Sequence, residues 1–248
     1  MEPEPLDLAV DIGNSSVKAG VFRHGHLMET FRMDHFDNSQ AARLIRKYPI
    51  ANAIICSVKT RDISERESLA NHFEHFLELT PATPLPIQND YQTPETLGSD
   101  RLAAVTGAYA LFPNQNTLVI DAGTAITYDL LDESGHYKGG NISPGLNLRF
   151  KSLHEATGLL PLLNPQQSFH RLGKNTSQAV VAGVQNGLIF EMNQYIHHFT
   201  DQYGRLTTIL TGGDSKFFDN KLKYPIFVES NLVLIGLNKI LKHNLYAK

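Results

Sequence analysis

The stretch Leu6-Asp7-Leu8-Ala9-Val10-Asp11-Ile12-Gly13-Asn14-Ser15-Ser16-Val17-Lys18 decides how this chain is read. Leu6 to Val10 is a short apolar run, the turn is polar and glycine-bearing, and Val17, Ala19 and Val21 then alternate with small or polar residues up to Phe22. Alternation with period two marks a strand with one buried face, so the segment predicts strand, tight turn, strand. The pattern recurs about half the chain later. Thr117 to Ile120 is apolar, Asp121-Ala122-Gly123-Thr124-Ala125 makes the turn, and Ile126, Tyr128 and Leu130 alternate after it. Two equivalent hairpins in one chain imply two related halves.

The segments that follow support the duplication. After the first hairpin come a third strand near His26 to Met33, a helix from Ser39 to Lys47, a buried β-run at Ala53 to Val58, a helix from Ser64 to Leu79, and a helix from Asp100 to Leu111. After the second come a Gly139-Gly140 turn, helices from Leu146 and from Ser177 to Gln202, a strand at Thr207 to Thr211, and a closing helix from Leu232 to His243. The break Phe112-Pro113-Asn114-Gln115-Asn116 divides the chain into residues 1–113 and 114–248. The expected class is α/β with two mixed sheets flanked by helices and a cleft between the halves.

Composition narrows the function. The 248 residues carry a net charge of −3 and 42% hydrophobic residues, which suits a globular chain with a sizeable core and no basic footprint for nucleic acid. The acidic, proline-broken start Met1-Glu2-Pro3-Glu4-Pro5 is unlike a secretory signal, and nowhere do about 18 apolar residues run together, so the expectation is a cytoplasmic protein with no membrane contact. The single cysteine, Cys56, lies in the apolar run and reads as core. His72 and His75 would share a helical face and His197-His198 are adjacent, but neither set has a third ligand, so they read as surface or half-buried histidines.

Why should both hairpins carry Asp-x-Gly with a hydroxyl or amide beside it? Glycine lets backbone approach a ligand closely, neighbouring polar side chains donate to phosphate oxygens, and the strand-end aspartate offers charge to a metal ion. Two such turns facing each other would grip the two sides of a nucleotide phosphate chain. Lys18 leaves the second strand on the same face as Ser16 and is a candidate phosphate contact. A third constellation, Leu97-Gly98-Ser99-Asp100-Arg101, opens a helix after a loop bearing Tyr91. Ser99 or Asp100 could cap that helix, but a cation at its start opposes the helix dipole, which favours a carboxylate-binding role for Arg101 and leaves Asp100 to act on an alcohol. Thr211-Gly212-Gly213-Asp214 also follows a strand as a glycine loop.

These motifs resemble those of the type III pantothenate kinases, in the superfamily of acetate and sugar kinases, heat-shock chaperones and actin. Asp11 to Lys18 resembles the first phosphate motif, Gly98-Ser99-Asp100-Arg101 the substrate motif, and Asp121-Ala122-Gly123-Thr124-Ala125-Ile126-Thr127 the second phosphate motif; Gly139 to Gly145 and Lys174-Asn175-Thr176 also fit. Ser15 stands where the family more often has Thr, which keeps the hydroxyl. The resemblance implies a duplicated ribonuclease H-like, actin-like ATPase fold and ATP-dependent phosphorylation of pantothenate, the first committed step toward coenzyme A. It implies Asp100 as catalytic base and Tyr91, Gly98, Ser99, Asp100, Arg101 and Thr176 as pantothenate contacts. ATP would be held by Asp11, Ile12, Gly13, Asn14, Ser15, Ser16, Val17, Lys18 and Thr124. Asp121 would hold a monovalent cation, potassium or ammonium, needed besides Mg2+. It also implies a homodimer whose partner subunit completes the pocket. A superfamily kinase or phosphatase with another acceptor, or a nucleotide-binding module without acceptor chemistry, stays open on the residues alone.

Overall fold

The structure, a computed structural model, describes residues 5–13, 16–57 and 63–246. The turn residues Asn14 and Ser15, and Val58 at the end of the expected β-run, lie outside the described residues. The chain folds as two compact units, residues 1–113 with 231–248, and residues 114–230.

In the first unit the strands are β1 (Leu6–Ile12), β2 (Val17–Arg23), β3 (His26–Met33), β4 (Ile50–Ser57) and β5 (His75–Glu78), in spatial order β3-β2-β1-β4-β5. β1, β2 and β3 are antiparallel neighbours, while β4 and β5 add in parallel. Leu8, Val10 and Ile12 point to one face, with Ala53 and Ile55 of β4, and meet α1 (Asn38–Lys47) and α2 (Ile63–Ala70). α1 lies where its sequence puts it. Asp37 caps it by accepting from the Gln40 amide at 3.0 Å, Arg46 and Lys47 complement the dipole in its last turn, and Ala41 and Leu44 are buried. Ala9, Ile54 and Phe22 point to the other face, against α3 (Ser99–Leu111) and α7 (Leu232–Tyr246). Two glycines bring those helices together: a Cβ on Gly236 would strike the Ala103 carbonyl oxygen and one on Gly107 the Leu232 carbonyl oxygen.

The second unit repeats the connectivity with β7 (Asn116–Ala122), β8 (Ala125–Leu131), β9 (His136–Pro144), β10 (Leu206–Thr211) and β11 (Phe227–Val228), in the order β11-β10-β7-β8-β9. A two-residue strand β6 (Gln88–Asn89) precedes α3 in the chain. β7, β8 and β9 are antiparallel neighbours, and β10 and β11 add in parallel, as in the first unit. α4 (Leu146–Ala156), the long α5 (Thr176–Tyr203) and the short α6 (Ser215–Phe218) complete it. Leu118, Ile120, Tyr128 and Leu210 pack with Val181, Leu188 and Met192 of α5 and Phe150 of α4 in its core. Cys56 is buried, as its apolar surroundings predict. No described helix is long and apolar enough to cross a membrane.

Three expectations are corrected. The helix expected over 64–79 ends at Ala70, and His75–Glu78 form β5 on the edge of β4. Phe76 and Leu77 thereby enter cores on opposite faces of the sheet, which two adjacent residues of a strand do directly. His72 therefore sits in a turn and His75 in a strand, so they share no helical face. Gly139 and Gly140 are not a turn; they lie inside β9, opposite Leu130 and Asp129. The register shifts there, and Gly139 takes the positive φ of 105° that a bulge requires. The turn is instead at residues 132–135, where Asp132 Oδ1 accepts from the Ser134 and His136 amides. Finally, the closing helix expected in a 114–248 domain packs with the first unit. Its buried stripe Leu234, Leu237, Ile240 and Leu241 finds the open face of the first sheet. Asp7, 1% exposed in that face, receives Lys242 Nζ at 2.6 Å and Asn238 Nδ2 at 3.2 Å from α7, and Asn52 Nδ2 at 2.9 Å from β4.

Candidate active site

Strand register builds the first half of the site. Asp11 is paired with Lys18 on β2 and with Cys56 on β4, so the three side chains leave one face of the sheet at the carboxyl end of β1. The turn beyond is closed by the Gly13 amide donating to the Ser16 carbonyl at 3.1 Å. The Asp11 carboxyl is pushed up from 3.8 to about 6, first by burial, then by the charge of Asp100, with Lys18 pulling the other way. Burial likewise raises the Cys56 thiol, with the charges of Asp11 and Asp100 adding to it. Asp100 therefore acts electrostatically on the end of β1 although it is far away in sequence.

α3 delivers Asp100. Its cap residue is Gly98, which makes no side-chain cap, so neither Ser99 nor Asp100 serves as the N-cap. Ser99 Oγ donates to the Leu79 carbonyl at 3.4 Å, and Asp100 Oδ1 accepts from the Arg101 amide at 2.8 Å. A Cβ on Gly98 would lie 2.5 Å from Asp100 Oδ1, so glycine there leaves room for the carboxylate. Arg101, 6% exposed, holds its guanidinium 5.7 Å from the centre of the Tyr91 ring. A buried guanidinium held over an aromatic ring suits recognition of a planar anion such as a carboxylate. Asp11, Lys18, Tyr91, Gly98, Ser99, Asp100 and Arg101 all belong to this unit.

The second unit holds Asp121, Thr124 and Thr176. Asp121 occupies the place of Asp11 in its sheet, in register with Thr127 and Thr211 where Asp11 has Lys18 and Cys56. The Gly123 amide closes the turn onto the Ala125 carbonyl at 3.1 Å. Backbone packs against this turn from two directions. The Gly145 amide donates to the Thr124 carbonyl at 3.0 Å, and a Cβ on Gly145 would strike the Gly123 and Thr124 carbonyl oxygens. Gly212, at φ 91°, lies so close that a Cβ there would strike Asp121 Oδ1 and Ala122. The Asp214 amide donates to the Ala122 carbonyl at 2.9 Å, and burial raises the Asp214 carboxyl. The Asp121 carboxylate thus lies at the end of β7 with the Gly212 backbone packed against it. A carboxylate is an oxygen ligand suited to a hard cation, and no group of three His, Cys, Asp or Glu that could hold a metal occurs among the described residues.

Thr176 opens α5 and lines a cavity of about 840 Å³ in the same unit. Leu153, Leu160, Val180 and Val184 form apolar walls, and Arg149, Lys174 and Asn175 supply polar groups. Pro144 also lines it, and its neighbour Gly145 packs on the Thr124 turn, so cavity and turn share a wall. Arg149 is fixed by Glu191 at 2.5 Å, by Ser143 Oγ at 2.8 Å and by the Pro144 carbonyl at 2.9 Å. Tyr128, its hydroxyl made less acidic by burial and by Glu191, donates to the other Glu191 oxygen at 2.8 Å. Sequence reading missed Arg149 and Glu191, which are 42 residues apart and carry no motif.

A family model described as type III pantothenate kinase matches residues 7–198. The type III pantothenate kinase of Phocaeicola vulgatus is 45% identical over 239 residues, covering 96% of this chain and 99% of that protein. That of Christiangramia forsetii is 41% identical over 243 residues, with coverage of 96% and 99%. Among solved structures, a conserved Campylobacter jejuni protein described as Baf family superposes with a TM-score of 0.63 at 24% identity, over 96% of this chain and 98% of that one. The activator of the 2-hydroxyisocaproyl-CoA dehydratase from Clostridium difficile, solved with ADPNP bound, gives 0.53 at 10% identity, with 98% of both chains covered. These two likenesses carry the duplicated actin-like ATPase fold alone.

Proposed function

This chain belongs to the type III pantothenate kinase family, and from that premise we propose how its residues divide the work of moving the γ-phosphoryl group of ATP to the terminal hydroxyl of pantothenate, giving 4'-phosphopantothenate for coenzyme A biosynthesis. The observation that carries the assignment is the Asp100-Arg101 pair, a carboxylate followed by a buried guanidinium held over the Tyr91 ring. Arg101 pairs with the pantothenate carboxylate, and Tyr91, Gly98, Ser99 and Thr176 hold the rest of the acid. Asp100 accepts the proton of the terminal hydroxyl as its oxygen bonds to the γ-phosphorus and the bond to the ADP oxygen breaks. The proton is left on Asp100 and the electron pair on ADP.

The residues Asp11 to Lys18 contact ATP, Lys18 as a phosphate contact, and the Asp11 carboxylate would offer its charge to Mg2+; Thr124 contacts ATP from the second turn. Asp121 would hold a monovalent cation, potassium or ammonium, which when bound offsets phosphate charge that a chain of net charge −3 meets poorly. The enzyme acts as a homodimer in the cytoplasm, where ATP and pantothenate are both dissolved. Exposed Ile142, Leu148 and Phe190 of the second unit give a partner apolar surface to cover. The test is direct: purified protein with Mg2+, ATP and potassium is offered pantothenate and a panel of sugars, and products are read by mass. Phosphorylated pantothenate alone is the expected product; a phosphorylated sugar with unchanged pantothenate refutes the assignment.

A further inference from the structure

Between α4 and α5 the chain runs for residues 157–175 without helix or strand, yet it is closely fastened to α5. The chief fastening is Gln185, a polar side chain with 0% exposure in the middle of the helix. Its amide oxygen accepts from the Gln166 backbone N–H at 2.7 Å, and its amide nitrogen donates to the Gln166 backbone carbonyl at 2.9 Å. One side chain thus satisfies both backbone polar groups of one residue, as a neighbouring strand would. One residue on, Asn186 Nδ2 donates to the carbonyl of His170 at 3.1 Å. The end of the strap is docked as well. Asn175 accepts from the Gln178 amide at 2.9 Å while Gln178 Oε1 accepts from the Lys174 amide at 3.0 Å, a reciprocal cap. Gly173 passes so near Ala179 that a Cβ would overlap its backbone.

What the strap carries is one wall of the 840 Å³ cavity, from Leu160 through Gly173 to Thr176. A buried glutamine costs free energy unless both ends are bonded, and here both bonds go to the strap and not to the helix that bears it. We infer that Gln185 is a positioning residue for acceptor recognition: it sets the strap so that Thr176 and the wall beside it meet pantothenate, without itself touching the substrate. The inference rests on the placement of Thr176 in the acceptor site proposed above.

The experiment compares wild type with Gln185→Leu, which keeps the bulk but makes neither bond, and with Gln185→Glu, which keeps the acceptor and recovers the donor when protonated. In Gln185→Leu the KM for pantothenate rises about tenfold, while the KM for ATP and kcat at saturating pantothenate stay within about twofold. Amide hydrogen exchange quickens in residues 164–172 and not in the core strands. Gln185→Glu lies between the two enzymes, and its pantothenate KM relative to wild type falls as pH is lowered. If Gln185→Leu does not fold, that pH dependence in Gln185→Glu carries the test. A pantothenate KM unchanged in a variant whose strap exchanges faster overturns the inference and leaves the kinase assignment intact. Equal loss for ATP and pantothenate also overturns it. A wild-type enzyme that leaves pantothenate unphosphorylated overturns the assignment itself, and the inference with it.

Discussion

Asp11→Asn should make this protein more stable and leave it inactive. The Asp11 carboxyl is raised from 3.8 to about 6, chiefly by burial and then by Asp100. At about 1.36 kcal/mol per decade of acidity constant, holding Asp11 ionised costs the folded state roughly 3 kcal/mol. Because the folded state binds this proton more tightly than the unfolded chain, the cost is absent below pH 3.8, grows as pH rises toward 6, and is complete above it. Asparagine keeps the shape and carries no charge, so it removes the cost at pH 7 to 8. The gain is an upper bound of about 3 kcal/mol, or roughly 6–12 °C in Tm for a chain of this size. Urea unfolding followed from pH 4 to 8 should give two curves that coincide near pH 4 and separate as pH rises. Phosphoryl transfer by the variant should fall by about 100-fold or more, since the charge kept at such cost is the one proposed to serve Mg2+ and the phosphates. A variant no more stable than wild type at pH 8, or a gain that persists undiminished at pH 4, refutes the reasoning.

Three further perturbations follow from the site. Asp100→Asn should lower kcat by about 100-fold or more while unfolding near the wild-type midpoint, because the carboxylate is the proposed proton acceptor and, among the described residues, its side-chain bond is the local one to the Arg101 amide; turnover near wild type removes it as the base. Arg101→Ala should raise the KM for pantothenate by about 10-fold or more and spare that for ATP, and Arg101→Lys should recover little of the loss, since an ammonium does not reproduce the planar fork that meets a carboxylate; an effect confined to ATP contradicts this. Potassium should activate the enzyme and sodium should do so poorly, a difference that Asp121→Ala abolishes; equal wild-type rates in both salts take the cation role from Asp121.

Local pattern carried much of the fold into view. Strands β1, β2, β7 and β8 and helices α1, α3, α5 and α7 lie close to where alternation, capping and helical spacing put them, because each rests on contacts within a few residues. The run 64–79 was misread for a matching reason. Phe73, Phe76 and Leu77 satisfy a helical stripe as well as a strand, and only the open edge of β4 chooses between them. Gly139-Gly140 read as a turn because glycines mark bends, yet β8 needed a partner and took the glycines as a bulge. The chemical residues were visible as residue types in order, but the field that raises Asp11 depends on α3 bringing Asp100 toward the end of β1, which no spacing encodes.

By itself the sequence determined the duplication and its chemistry: two strand-turn-strand motifs with Asp-x-Gly, an Asp100-Arg101 pair at a helix start, and a mildly acidic chain that needs local donors for any anion. Those features are short-range, and short-range stereochemistry dictates them. Tertiary structure alone decided that residues 231–248 join the first unit, where Lys242 and Asn238 meet the buried Asp7. It alone placed Arg149 against Glu191 and Gln185 against the backbone of Gln166. Each of these is a polar group that must find a partner once water is excluded, and which partner it finds depends on how the elements pack.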